Sequence, residues 1–285
     1  KELIYSDSRC LHPVLMAKPG GRVSSPNEIK KSDWKTVSRE QLWGGDNEYY
    51  WFRFEVKIPD IYEGKAAAIE ITTGREGEWD ATNPQFLAYV NGEVRQGLDV
   101  NHRKIILTEE AVAGEIFIIE LSAFTGMQNF RLYMDVELRI LHRDIEKYYY
   151  DLWVPFQVQE LLEKEQTEAL QISGAITESL NLLDLRQEYS ETFYESLNRA
   201  QKYLEKEFYE KRCGETPEVI YAVGHTHIDI AWLWTLAVTE DKAVRSFSTA
   251  LELMRRYPEF VFMSSQPQLY AYVKQNAPEV YEEIR

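Results

Sequence analysis

Between Tyr49 and Leu141 the chain partly alternates apolar and polar residues with a period of two, as in Trp51, Phe52, Arg53, Phe54, Glu55 and Val56. The pattern predicts strands over Tyr49 to Ile58, Ala66 to Thr72, Phe86 to Val90, Glu93 to Gly97, Glu115 to Leu121 and Phe130 to Leu141. These runs are rich in Val, Ile, Phe and Tyr, and clusters of Gly, Pro, Asn and Asp separate them. Many short strands in succession read as an antiparallel β-sandwich, jelly-roll-like. Asn91-Gly92, set between Leu87 to Val90 and Glu93-Val94, tolerates the positive φ angles of a two-residue type I′ turn and predicts a hairpin tip.

The period changes near Arg143. Ile145, Tyr148, Tyr149 and Leu152 fall at helical spacing, as do Leu197, Ala200, Tyr203, Leu204 and Phe208. Pro155 and Gly174 are the only helix breakers between Arg143 and Arg212, so this segment reads as a helical connector. A third pattern follows Gly214-Glu215-Thr216-Pro217. Val219 to Val223 is a short apolar run, Thr239 to Arg256 carries Val244, Phe247, Leu251 and Met254 at helical spacing before Pro258, and Phe260 to Met263 is apolar again. Strand, helix, strand predicts a right-handed parallel crossover, the opening of a (β/α) barrel or a doubly wound sheet. Two parallel strands do not cover both faces of a sheet, so this last domain is expected to be truncated. The predicted organisation is a multidomain α and β chain: a β-sandwich over 1–141, a helical connector over 142–216 and the start of a (β/α) barrel over 217–285.

Composition narrows the functions. At about 150 residues per domain, 285 residues already imply more than one. Thirty-two Lys and Arg against 47 Asp and Glu give a net charge of -15 and a pI near 4.9, which argues against nucleic acid and anionic membrane as partners. Hydrophobic residues at 44% are enough for an ordinary core, and no apolar run approaches the roughly 18 residues of a membrane span. Cys10 and Cys213 are too few for a disulfide framework and show no metal-ligand spacing, so both read as free thiols. The chain starts at Lys1 with no basic-then-apolar leader and carries no Asn-x-Ser/Thr sequon. Together these features predict a soluble, cytoplasmic, microbial protein.

The chemistry concentrates in Gly224-His225-Thr226-His227-Ile228-Asp229-Ile230-Ala231-Trp232-Leu233-Trp234, at the expected C-terminal end of the first parallel strand, where such folds build their sites. In an extended backbone His225, His227 and Asp229 share one side. Two or three of the four N and O ligands of a zinc ion could converge there. A histidine bonded to an aspartate in a loop needs no metal, so that alternative stays open. What favours the metal is context: the other histidines, His12, His102 and His142, are scattered, whereas these two sit together at a strand's rim. Trp232 and Trp234 read either as core residues or as an indole face for the apolar side of a sugar ring. Glu240, Asp241, Glu252 and Glu259 read as surface charge on or beside the following helix.

This stretch, with Lys242, Arg245-Ser246-Phe247, Tyr257-Pro258-Glu259 and Ser265-Gln266-Pro267-Gln268-Leu269-Tyr270, resembles the start of the catalytic domain of glycoside hydrolase family 38, the class II α-mannosidases. The likeness is to the cytosolic and vacuolar branch, whose members place a β-rich domain and a helical connector ahead of the barrel. Trp43-Gly44, Trp51-Phe52-Arg53-Phe54 and Tyr89-Val90-Asn91-Gly92-Glu93 are similar to that β-rich domain. The resemblance implies a zinc ion held by His227 and Asp229, with Trp232 as the floor beneath a mannose ring and His225 in a supporting role. It implies that an Asp and a His far downstream complete the metal shell, that this Asp is the nucleophile of a retaining reaction, and that neither nucleophile nor acid/base lies before Arg285. The expectation is the N-terminal part of a zinc-dependent α-mannosidase acting on mannose-containing oligosaccharides, the 285 residues alone being inactive. Two readings from other classes compete: a non-catalytic carbohydrate-binding or assembly module, and a metal-dependent carbohydrate deacetylase, which the residues from Trp232 to Tyr270 disfavour. Homo-oligomerisation is left open.

Overall fold

The computed structural model describes residues 1–79, 83–212 and 219–285, which leaves Cys213 and Gly214 to Pro217 outside the described residues. Among the described residues twelve strands precede the first long helix: β1 (Tyr5–Cys10), β2 (Val14–Ala17), β3 (Lys35–Val37), β4 (Trp43–Gly45), β5 (Tyr49–Lys57), β6 (Ala66–Thr72), β7 (Gln85–Val90), β8 (Glu93–Leu98), β9 (Lys104–Thr108), β10 (Ile116–Phe124), β11 (Phe130–Leu132) and β12 (Asp135–Leu141). They form a four-stranded sheet ordered β1-β12-β6-β9, a six-stranded sheet ordered β3-β2-β5-β10-β7-β8, and a small β11-β4 pair. The six-stranded sheet is antiparallel at each recorded pairing, with Leu121 of β10 opposite Phe52 of β5 on one side and Ala88 of β7 on the other. Phe52, Phe54, Val90 and Leu121 from this sheet meet Ile69, Ile105 and Leu138 from the other in one core. That is the antiparallel sandwich the alternation predicts.

The Asn-Gly hairpin forms as expected. Val90 pairs with Glu93, and Asn91 and Gly92 adopt φ of 54° and 84°. Asn91 also ties the tip to β10, its side-chain oxygen accepting from the Ile118 amide at 2.8 Å.

Where alternation is weak the prediction fails. The run Phe130 to Leu141 splits, because Phe130–Leu132 pairs with Trp43–Gly45 whereas Asp135 onward joins the four-stranded sheet. β4 carries two glycines, poor strand formers by propensity. Gly44, at φ 125°, is needed because a Cβ there would collide with the Phe130 carbonyl. β1 to β3 are short, and their pairing with β12 and β5 is set by the tertiary fold rather than by local pattern.

The chain divides into two compact units. One holds Lys1–Ser6 and Leu141–Ile220. Its helices are α1 (Arg143–Leu161), α2 (Thr167–Asn181) and α3 (Glu191–Tyr203), the last running into a π-helical turn over Leu204–Glu210. Pro155 sits buried within α1 without ending it. Ile145, Tyr148, Leu197, Ala200, Leu204 and Phe208 are buried, as the helical spacing predicts. The Tyr148 hydroxyl lies 2.8 Å from Ser179 Oγ, which donates to the Ala200 carbonyl, so three helices share one buried polar relay.

The other unit holds Asp7–Ile140 together with Tyr221–Arg285. In the latter segment β13 (Gly224–His225) and β14 (Phe262–Met263) pair in parallel, bracketing α4 (Leu236–Arg256), and are followed by α5 (Pro267–Asn276) and α6 (Pro278–Ile284). The parallel crossover is as expected, but Val219 to Val223 is not a strand. Ile220 and Tyr221 are 90% and 87% exposed, and a parallel strand requires neighbours that cover it.

α4 packs across β7 and β8, and this contact overturns the surface reading of most of its acids. Arg22 donates to Glu240 at 2.5 Å and pairs with Asp241 at 2.8 Å. Glu252 is buried among Arg95, Arg255 and Arg256. Glu259 alone of the four stays exposed. Charges on an amphipathic helix look solvated until the sheet that covers them is known.

Candidate functional site

Gly224 opens the site because nothing larger fits: a Cβ there would lie 2.8 Å from the Phe260 ring and 3.2 Å from the Val261 carbonyl. Its amide donates to that carbonyl at 2.7 Å, locking β13 against β14. Beyond His225 the ladder ends, and the Gln266 side chain takes over. Its amide nitrogen donates to the Ile228 carbonyl at 2.9 Å while its oxygen accepts from the Ile228 amide at 3.4 Å. Ile228 is buried in a core with Val244, Phe247, Leu269 and Val273. Because neighbours in an extended chain point oppositely, burying Ile228 turns His227 and Asp229 outward together.

They meet: His227 Nε2 lies 3.0 Å from Asp229 Oδ1, with side chains 73% and 44% exposed. The pair is hydrogen-bonded in this structure, and since two ligands bonded to zinc at about 2.0 to 2.2 Å in tetrahedral geometry stand about 3.4 Å apart, the two atoms need separate by only a few tenths of an ångström to form one edge of such a site. The donor set, one imidazole nitrogen and one carboxylate oxygen, is suited to that ion. His225 is also exposed but does not complete a three-ligand group with them; among the described residues such a group occurs only at Cys10, His12 and Asp135.

Ala231, at φ 33°, turns the chain after Asp229. Trp232 follows, 56% exposed, its ring perpendicular to Trp234 with centroids 5.5 Å apart. The core reading therefore does not hold for Trp232. Trp234 is half-buried and anchored: its Nε1 donates to Thr239 Oγ1 at 3.1 Å, and Lys242 Nζ stands 4.5 Å above the ring. Thr235 caps α4 by accepting from the Val238 amide. Burial pushes Lys242 down to about 8, with Arg245 acting in the same direction. Sequence reasoning missed this support. Gln85, 157 residues away, accepts from both Lys242 and Arg245, and no local pattern announces it. The concave surface lined by Arg22, Tyr49, Tyr89, Asp241 and Arg245 belongs to the α4–sheet contact and includes none of His227, Asp229 and Trp232.

A sandwich packed with the opening of a parallel α/β domain, and a His–Asp pair at its first rim, define a class that the comparisons make specific. Residues 217–285 match the family described as the glycosyl hydrolases family 38 N-terminal domain, and residues 12–150 match the α-mannosidase jelly roll domain. The chain thus carries, behind a segment that matches the α-mannosidase jelly roll, one that matches the family 38 N-terminal domain. Among curated proteins it is similar to α-mannosidase G of Dictyostelium discoideum, 29% identical over 279 residues, covering 89% of this chain and 24% of that protein. To α-mannosidase 2C1 of Homo sapiens it is 30% identical over 254 residues, covering 82% and 23%. Over 100 residues it is 35% identical to the α-mannosidase of Saccharomyces cerevisiae, covering 35% and 8%. The chain thus spans about a quarter of the length of the first two relatives. A family 2 glycosyl hydrolase from Bacteroides cellulosilyticus overlays 47% of the chain and 20% of its own at a TM-score of 0.34 and 15% identity, a likeness that carries no argument.

Proposed function

We propose that this protein works as part of a zinc-dependent retaining α-mannosidase that hydrolyses α-mannosides of oligosaccharides in the cytoplasm. The observation that carries the reading is the outward-facing pair His227 Nε2 and Asp229 Oδ1 at 3.0 Å, at the rim of a parallel strand pair within the segment that matches family 38. His227 and Asp229 hold the ion as two of its four ligands. When bound, zinc supplies a Lewis acid that gathers and orients sugar hydroxyls. Trp232 offers an exposed indole on which the apolar face of a mannose ring packs, and Thr239 and Lys242 hold its neighbour Trp234 in place. Ile228 and Gln266 fix the backbone between the two ligands, so their approach is set before metal or sugar arrives. The residues 1–141 serve as the sandwich domain, 142–216 as the connector and 217–285 as the opening of the catalytic domain. A pair of carboxylates about 5 to 5.5 Å apart, which a retaining glycosidase requires, is supplied by parts of the family 38 domain other than this segment.

The roles separate by substitution in a chain carrying the whole family 38 catalytic domain. His227→Ala and Asp229→Ala each lose zinc and turnover together, by roughly 10- to 100-fold or more. Trp232→Ala retains zinc and loses sugar affinity and turnover, on the order of 1 to 3 kcal/mol of apolar contact. Loss of zinc from Trp232→Ala equal to that from Asp229→Ala would contradict these roles. A carbohydrate-binding module without catalysis would instead bind sugar unchanged in all three variants.

A further inference from the structure

We propose a second metal site on the outer face of the sandwich, formed by Cys10, His12 and Asp135, for zinc or a similar borderline divalent cation. The sheet builds it. The Leu11 amide donates to the Val136 carbonyl at 2.8 Å, and Leu11 and Val136 both pack into the sandwich core. Strand alternation then turns Cys10, His12 and Asp135 to the opposite face, side by side across the β1–β12 pairing. One ligand atom from each lies within 4.8 Å of the others.

Two observations beyond proximity point to a ligand. Asp135 has a side chain only 6% exposed, and its Oδ2 is paired with Arg39 at 2.5 Å, while its Oδ1 is buried without a hydrogen-bond partner. Both ring nitrogens of His12 are likewise buried and without a partner. His12 Nε2 stands 3.7 Å from Asp135 Oδ1, too far for a hydrogen bond yet close to the roughly 3.4 Å edge of a tetrahedral N,O site. Leaving such buried groups without partners costs the full desolvation of each, and a cation between them satisfies the oxygen and one nitrogen at once. Arg39 fixes the far carboxylate oxygen, so the near one is aimed. Exposed Cys10 supplies a third, softer donor from the solvent side. On binding, the Sγ–H proton leaves to solvent as the sulfur–metal bond forms. Asp135 binds as the anion and His12 as the neutral imidazole, so a divalent ion is neutralised and the fourth position remains open to water. The sulfur distinguishes this site from the N,O pair at His227 and Asp229.

Cobalt(II) is the probe, added to the purified, reduced 285-residue chain and read by near-ultraviolet absorption and equilibrium dialysis. A thiolate-to-cobalt charge-transfer band is expected in the parent and in Cys213→Ser. It is absent in Cys10→Ser, a surface change that leaves the circular dichroism unaltered. Cobalt affinity falls at least about 10-fold in Cys10→Ser and in His12→Gln. The band persists in His227→Ala, which separates this site from the proposed catalytic one. No band in the parent, or a band that survives Cys10→Ser and disappears in Cys213→Ser, overturns the proposal and leaves His12 and Asp135 as a plain ion pair.

Discussion

Lys242 carries the clearest single-residue consequence of the fold. Burial against the sheet, with the buried Arg245 pressing in the same direction and Asp99 opposing, pushes its ammonium down to about 8 from an ordinary 10.5. Below about pH 8 folded and unfolded chains both hold the proton, and burying the charge costs stability. Between about 8 and 10.5 only the unfolded chain holds it, so stability rises with pH across that window, by at most about 3 kcal/mol. Urea denaturation at pH 7.5 and pH 9.5 should show that rise, and Lys242→Met should flatten it; equal slopes in the two proteins would show that Lys242 is not the cause. The sequence displays Lys242 as one of many helix charges. Its setting depends on Gln85, which only the tertiary fold brings near. His227, Asp229 and Trp232 are different: their spacing of two and three residues is visible directly, because the strand period alone turns the first two outward together.

At the scale of elements, alternation and helical spacing locate β5, β6, β7, β8, β10 and α4 within a few residues, because their own sequences carry the apolar positions that the fold buries. They miss β1 to β4, β9 and the break between β11 and β12, where pairing partners far along the chain decide the structure. The docking of α4 on β8 is of this second kind and turns on Gly97. Its amide donates to Thr249 Oγ1 at 2.9 Å, and a Cβ would lie 2.9 Å from that of Arg245. Gly97→Ala should therefore destabilise the protein by about 1 to 3 kcal/mol through overpacking, read as a lower urea midpoint. An unchanged midpoint would mean that helix and sheet do not approach this closely. Val219 to Val223 shows the opposite error: an apolar run read as a strand lies exposed, since composition suggests a strand but only neighbouring strands make one.

For the whole molecule, the jelly roll and the opening of the family 38 domain form one compact unit joined by ion pairs from Arg22 and Arg95 to α4. The 285 residues span about a quarter of their first curated relatives. We propose that the purified 285 residues show no turnover of aryl α-mannosides, because the proposed function assigns both catalytic carboxylates to parts of the family 38 domain other than residues 217–285, and each is worth orders of magnitude in rate. Reproducible, chelator-sensitive hydrolysis would refute this. His227 and Asp229 as metal ligands are the central claim. The most direct measurement is zinc content, by elemental analysis, of a chain carrying the whole family 38 catalytic domain with both Cys10 and Cys213 changed to Ser. One zinc per chain is expected, lost in Asp229→Ala and in His227→Ala and retained in Trp232→Ala. Full zinc occupancy in the Asp229→Ala protein would contradict the account.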